Sequence, residues 1–206
     1  MLEVVVATGN PHKVSELRGL LPVRGIRWRS LAEFPRAQAP RETGRSFHAN
    51  AVLKARAAAQ ATGRWALADD SGLQVDALGG GPGVRSARFA GGHGDAAANN
   101  AKLLHALARR VGRGRAARYR CVLALAAPRR VLAIVTGSWE GRIARRSAGV
   151  GGFGYDPLFV AQGSGKTVAQ MPRRMKQRLS HRAVAARRLR PFLRCLVEAT
   201  GRRRAC

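Results

Sequence analysis

The chain has 206 residues, 46% of them hydrophobic, with 38 Lys and Arg against 11 Asp and Glu, a formal net charge of +27. Such a length and apolar share support one domain over 1–206 with a real core and exclude a disordered chain. No apolar run is long enough to span a bilayer.

A strand-like start with no signal peptide ahead of it, and three widely spaced cysteines with no Cys-x-x-Cys pair, point to a reducing cytoplasm. They argue against a disulfide framework or a zinc site. Of the 38 basic residues 33 are Arg, and these are scattered through every segment. From Arg173 to Cys206 there are twelve bases and one acid, Glu198, with an Arg-rich tail from about 197. That end fits an anionic partner, a small polyphosphate or a polynucleotide.

Val4 to Ala7 reads as a buried strand. Thr8-Gly9-Asn10-Pro11-His12-Lys13 follows, then a helix with Val14, Leu17, Leu20 and Leu21 on one face. A strand, a small-residue turn and a helix start make an anion site, with Thr8 and Asn10 as side-chain donors and Lys13 as a point charge. Arg24 to Arg29 is a weak second strand, and Glu33 to Arg41 a proline-rich loop. A long alanine-rich helix is expected over Ser46 to Thr62, stopped by Gly63. Asn50 and Lys54 share one of its faces, as in an ordinary exposed polar stripe.

Trp65-Ala66-Leu67-Ala68 is a strand that runs into Asp69-Asp70-Ser71-Gly72. The two adjacent acids are expected at a sheet edge, where a turn opens to solvent. Neighbours leaving a strand point to opposite sides, so one acid can face a ligand while the other ties down the turn or shares a metal. Two anions this close in a cationic protein call for a hard cation such as Mg²⁺. By itself the string also fits a turn that only shapes a loop.

Gly79 to Gly83 reads as a sharply turned loop, and Val84 to Ala90 as a short extended piece carrying Arg85 and Arg88. Asp95 caps a further helix with Leu103, Leu104 and Leu107 inward. Arg118 to Ala126 and Val131 to Ser138 form a hairpin across Pro128-Arg129-Arg130. Strands and helices mixed in this way give an α/β or α+β fold with a largely mixed sheet. Gly149 to Gly154 matches G-x-G-x-x-G, but a turn and strand follow instead of a helix, and no acid stands about 20 residues on. Gly163 to Thr167 resembles the end of a phosphate-binding P-loop but has Val160 where that loop needs Gly.

Six motifs stand in order: Ala7-Thr8-Gly9-Asn10 with Lys13; Glu42-Thr43-Gly44 with Phe47, Asn50-Ala51 and Lys54-Ala55; Ala68 to Leu73; Gly79-Gly80 with Pro82-Gly83; Gly152 to Pro157 with Phe159; and Ser180-His181-Arg182. Together they resemble the inosine triphosphate pyrophosphatase family over Val4 to about Leu196. The resemblance implies an elongated α/β fold with two lobes around a central mixed sheet and a cleft between them. It implies a cytoplasmic homodimer that splits ITP, dITP or XTP into the monophosphate and pyrophosphate. Carried onto this chain, Asp70 is the general base and a Mg²⁺ ligand, helped by Asp69 and Glu42. Thr8, Gly9, Asn10 and Lys13 cradle the triphosphate, with Lys54, Lys176 and Ser71 nearby. Phe153 stacks on the purine, Gly154, Tyr155 and Asp156 shape the base pocket, and His181 or Arg182 donates to the O6 acceptor. Two departures, Arg41 and Ala49, stand where the family carries acids. The alternatives are a Maf-like nucleotide pyrophosphatase and a basic nucleic-acid-binding protein without catalysis. Aromatic content of 5% argues against a nucleic-acid stacking platform.

Overall fold

The computed structural model describes residues 1–92 and 94–202. In chain order the elements are β1 (Leu2–Val6), α1 (Pro11–Leu20), β2 (Ile26–Ser30), α2 (Phe47–Thr62), β3 (Trp65–Val75), α3 (Ala96–Ala106), β4 (Ala116–Ala127), β5 (Arg130–Ile143), β6 (Phe159–Ala161), α4 (Arg173–Leu179) and α5 (His181–Arg202). The strands form one six-stranded sheet in the order β2-β1-β3-β4-β5-β6. β1 runs parallel to β2 and to β3, and β5 antiparallel to β6, so the sheet is mixed. β4 and β5 are neighbours joined only by Pro128 and Arg129, too short for anything but a hairpin.

The chain divides into two compact units. The first holds Met1–Asp70, Cys121–Gly137 and α5 from Arg182; the second holds Ser71–Arg120 and Ser138–His181. In the first, the valine run of β1 is buried on both faces, as a central parallel strand requires. Its core adds Leu17, Leu21, Leu67, Leu123, Leu125, Leu189 and Leu193. Each such side chain contributes roughly 1.5–3 kcal/mol through burial. In the second, Leu73, Val75, Leu103, Leu107, Tyr119, Ile143, Leu158 and Phe159 cluster together.

α2 shows how a helix start and stop are encoded. Ser46 Oγ accepts from the Ala49 N–H at 3.1 Å, and Gly63 ends the helix in the left-handed region, φ 65°. Its alanines Ala51, Ala55, Ala58 and Ala59 form the buried stripe and let the helix backbone lie close to its neighbours. Asp95 caps α3 as expected, through the Ala98 N–H.

Two local expectations are corrected. The acids Asp69 and Asp70 do not lie at a strand-end turn: β3 continues to Val75, and both are buried mid-strand. The Ser71-Gly72 turn signal is overridden by the apolar residues that follow, and Gly72 has a different cause. A Cβ there would lie 2.3 Å from Ser86 Oγ and 2.8 Å from the Gly83 carbonyl oxygen, so glycine permits a close backbone approach. Residues Gly83–Arg88 are a 3-10 helix, not an extended piece. The Arg-rich end expected from about 197 forms the last turns of α5 as far as Arg202; its remainder, with Cys206, lies outside the described residues. Among the described residues no helix is long and apolar enough to cross a membrane.

Candidate active site

β3 carries the two acids to opposite faces, and each meets a different set of cations. Asp69 is fully buried. Its Oδ1 pairs with Lys13 Nζ at 2.6 Å, and its Oδ2 accepts from Arg182 Nε at 2.9 Å and from the Cys121 thiol at 3.3 Å. Arg182 also pairs with Glu16 through Nη1. Two carboxylates and two cations thus balance one another. Burial alone would raise the Asp69 pKa, but Arg182 and Lys13 outweigh it and hold the carboxyl well below its ordinary range. Burial opposes the charge on Arg182, yet Asp69 and Glu16 raise its pKa further. Burial, and then the neighbouring Asp69 carboxylate, pushes the Cys121 thiol well up and keeps it protonated.

Asp70 faces the other way, toward α2. Its Oδ1 accepts from Lys54 Nζ at 2.7 Å, and the same ammonium reaches Glu42 Oε1 at 3.0 Å. The Lys54 ammonium thus bridges the two carboxylates. Burial raises the Asp70 pKa, and the shared Lys54 only partly offsets it. Lys54 is pulled down by burial, but Asp70 and Glu42 outweigh this and keep it ionised. Asp70 Oδ2 is buried and has no hydrogen-bond partner.

The pair Asn50 and Lys54 is therefore no exposed stripe; both are buried. Asn50 Oδ1 accepts from the Gly44 N–H at 2.8 Å and so fixes the segment that carries Glu42. Lys13 is ion-paired, not a spare point charge. Asn10 caps α1, its Oδ1 accepting from the His12 and Lys13 N–H groups, and its own N–H donates to Thr8 Oγ1. The helix start is thus already capped by protein. Asp69, expected as a metal helper, has both oxygens committed to cations, and Arg182, expected as a base reader, is committed to Asp69 and Glu16. Glu16 and Cys121 went unread in the sequence, because their partners lie 166 and 52 residues away.

The second unit builds a separate polar group. Asp156, buried, takes the Tyr119 hydroxyl at 3.1 Å on Oδ1 and both Lys176 Nζ (2.7 Å) and the Phe153 N–H (2.9 Å) on Oδ2. Lys176 Nζ also lies 4.2 Å from the centroid of the half-buried Phe153 ring. Lys176, expected beside a triphosphate, is thus bound to Asp156 and Phe153. Gly154 donates no side chain but takes a left-handed turn, φ 62°, and its carbonyl accepts from Asn100 Nδ2 at 3.0 Å. Tyr155 is buried and donates to the Ser86 carbonyl oxygen; burial pushes its pKa well above the ordinary value. His181 stacks on Tyr119, rings 4.7 Å apart at 13°. Ser180, extended, sits immediately before α5, as expected of a cap position. Ser71 is half-buried on β3 directly after Asp70.

Gly152 has φ +75°, and a Cβ there would lie 2.1 Å from Asp156 Oδ2. Gly152→Ala is expected to displace that carboxylate and lower the melting temperature by several degrees. Thermal unfolding checks this, and an unchanged Tm would mean the loop yields without cost.

Among the described residues no three His, Cys, Asp or Glu are grouped to hold a metal ion by themselves. The Asp70 and Glu42 pair still fits a hard divalent cation. It offers hard oxygen donors and a buried Asp70 Oδ2 lacking a hydrogen-bond partner. Mg²⁺ commonly takes one or two carboxylates and leaves its other positions to water and phosphate.

A model of the Ham1 family matches residues 4–192. A dITP/XTP pyrophosphatase from Geobacillus kaustophilus is 48% identical over 92% of this chain and 93% of its own. Another from Nocardia farcinica is 46% identical over 97% and 98%. Among solved structures, a HAM1 protein from Coxiella burnetii superposes with a TM-score of 0.86 at 41% identity, over 94% of this chain and 98% of that one. A nucleoside-triphosphatase, dITP/XTP pyrophosphatase, from Mycobacterium abscessus gives 0.77 at 43% identity, over 92% and 100%.

Proposed function

This chain belongs to the Ham1 family, and from that premise we propose that it hydrolyses ITP, dITP and XTP between the α and β phosphates. The observation that carries the reading is the buried Asp70 on β3, held on Oδ1 by Lys54 of α2 beside Glu42 and left with no hydrogen-bond partner on Oδ2. A carboxylate that is buried, raised in pKa and left with a bare oxygen is suited to accept a proton.

In the proposed reaction Asp70 takes a proton from water as the water oxygen bonds to the α phosphorus. The bond from that phosphorus to the bridging oxygen breaks, and pyrophosphate leaves with the electron pair. Asp70 and Glu42 would hold Mg²⁺, which neutralises phosphate oxygens and orients the leaving group. Lys54 keeps both carboxylates in place and adds positive charge beside the phosphates. Thr8, Gly9 and Asn10, with Ser71, supply hydrogen-bond donors to the triphosphate. Lys13 and Asp69 act by fixing the strand and the turn.

On the second unit, the half-buried Phe153 ring is the group for purine stacking. Gly154, Tyr155 and Asp156 set the loop that presents it. With Arg182 committed to Asp69 and Glu16, we assign the donor to O6 to His181. Hypoxanthine and xanthine place an acceptor at that position and adenine a donor, and such a difference discriminates strongly. Cleansing a nucleotide pool places the work in the cytoplasm, and the family resemblance supports a homodimer. Sedimentation of the purified protein checks the latter.

Purified protein is expected to release pyrophosphate from ITP and XTP but not from ATP, and only with Mg²⁺. Chelation by EDTA should abolish turnover, and added Mg²⁺ should restore it. Orthophosphate in place of pyrophosphate, or equal cleavage of ATP, would overturn the reading.

A further inference from the structure

We infer that Tyr119 is a positioning residue for purine recognition, holding Asp156 through its hydroxyl and His181 through its ring; this rests on the function proposed above. Tyr119 stands on β4, buried, within the core of the second unit. An apolar ring would satisfy that core. The hydroxyl is the group in excess, and it is spent on Asp156 Oδ1 at 3.1 Å.

The consequence lies at the other carboxylate oxygen. Oδ2 must meet both the Phe153 N–H and Lys176 Nζ. Turning about the Cβ–Cγ bond carries both carboxylate oxygens, so those two donors resist it from one side only. The Tyr119 hydroxyl holds the opposite oxygen, so the carboxylate plane is clamped at both ends and Oδ2 is kept on its two donors. Gly152, with no Cβ, leaves the space in which Oδ2 sits. Through Oδ2 the setting passes to the Phe153 backbone and to Lys176, which lies over the Phe153 ring. The same tyrosine ring stacks on His181 and contacts Phe159 at 4.6 Å. One side chain thereby fixes the aromatic platform and the imidazole proposed to read O6. The ligand class is a 6-oxopurine, stacked on one and hydrogen-bonded to the other.

The test is Tyr119→Phe in the full chain, which keeps the ring and removes one hydrogen bond. With Mg²⁺, KM for ITP is expected to rise about tenfold, with kcat changed less than about twofold, the pattern of lost binding and not lost chemistry. In a nitrogen-15 correlation spectrum of the ligand-free protein, the Phe153 amide proton should move upfield as its bond to Asp156 weakens. An unchanged KM with an unchanged Phe153 amide would overturn the inference. So would loss of the dispersed spectrum, since a hydroxyl that only positions leaves the fold standing. Failure of the wild-type protein to cleave ITP would sink the proposed function instead, and the amide shift would still decide whether Tyr119 sets Asp156.

Discussion

Asp70→Asn is expected to cut kcat for ITP by roughly a thousandfold, within the range of a lost general base, while raising the melting temperature at pH 7. The two effects have one cause. Burial makes the ionised Asp70 costly, and Lys54, shared with Glu42, does not offset it. A folded-state pKa above the unfolded value means that the protonated form favours the fold. That contribution is complete below the unfolded pKa of about 4 and is lost as pH rises through the raised folded value. Above that folded value the wild-type chain bears the cost of the buried charge, and the neutral amide removes it. For the same reason the wild-type rate should rise with pH through that raised pKa, as the base form appears. Pyrophosphate release and thermal unfolding, run on the same samples, check both halves. A lower Tm with retained turnover would show that Asp70 is structural and its neighbour the reactive acid.

The neighbouring substitution should do the opposite. Asp69→Asn leaves the nearly inaccessible Arg182 guanidinium facing Glu16 with no carboxylate on its other side. Breaking a buried pair in this way costs about 3–5 kcal/mol, and for a domain of this size that lowers Tm by roughly 10 °C. Its pH signature is reversed as well. A depressed carboxyl contributes stability above its unfolded pKa and loses it as pH falls toward the folded one. The wild-type protein should therefore lose stability steeply below pH about 4, and the variant should show a flatter acid limb. Equal Tm values at pH 7 would contradict the balanced network.

Much of this was legible in the residues. The helix start near Ser46 and its stop at Gly63, the cap at Asp95, the alanine-rich make-up of α2 and the hairpin at Pro128 follow from local chemistry, and local chemistry is what a sequence displays. The acid pair was legible as a place of interest, because carboxylates are scarce in this chain. What failed was context from afar. Asn50 and Lys54 at helical spacing look like solvent-facing polarity; their burial is decided by Gly44, Glu42 and Asp70, none on the same helix. Ser71-Gly72 looks like a turn, and only the approach of Gly83 and Ser86 explains a glycine inside a strand. Lys13, Lys176 and Arg182 were each found as functional cations, but each is already answered by an acid distant in sequence. A lone aromatic such as Tyr119 in an alternating strand gives no sign that its hydroxyl has a partner 37 residues on.

The back-to-back placement of Asp69 and Asp70 on β3 also limits how this gene can change. In a strand the parity of a position, odd or even, determines which face its side chain takes. One codon gained or lost between Trp65 and Asp69 would invert that parity without altering either aspartate. A residue lost would deliver the reactive acid to Lys13 and Arg182, which would neutralise it, and a residue gained would deliver the structural acid to the Lys54 ammonium instead. Length in this short stretch is thus under the same constraint as identity, and a lineage can lose the chemistry while keeping every residue that performs it.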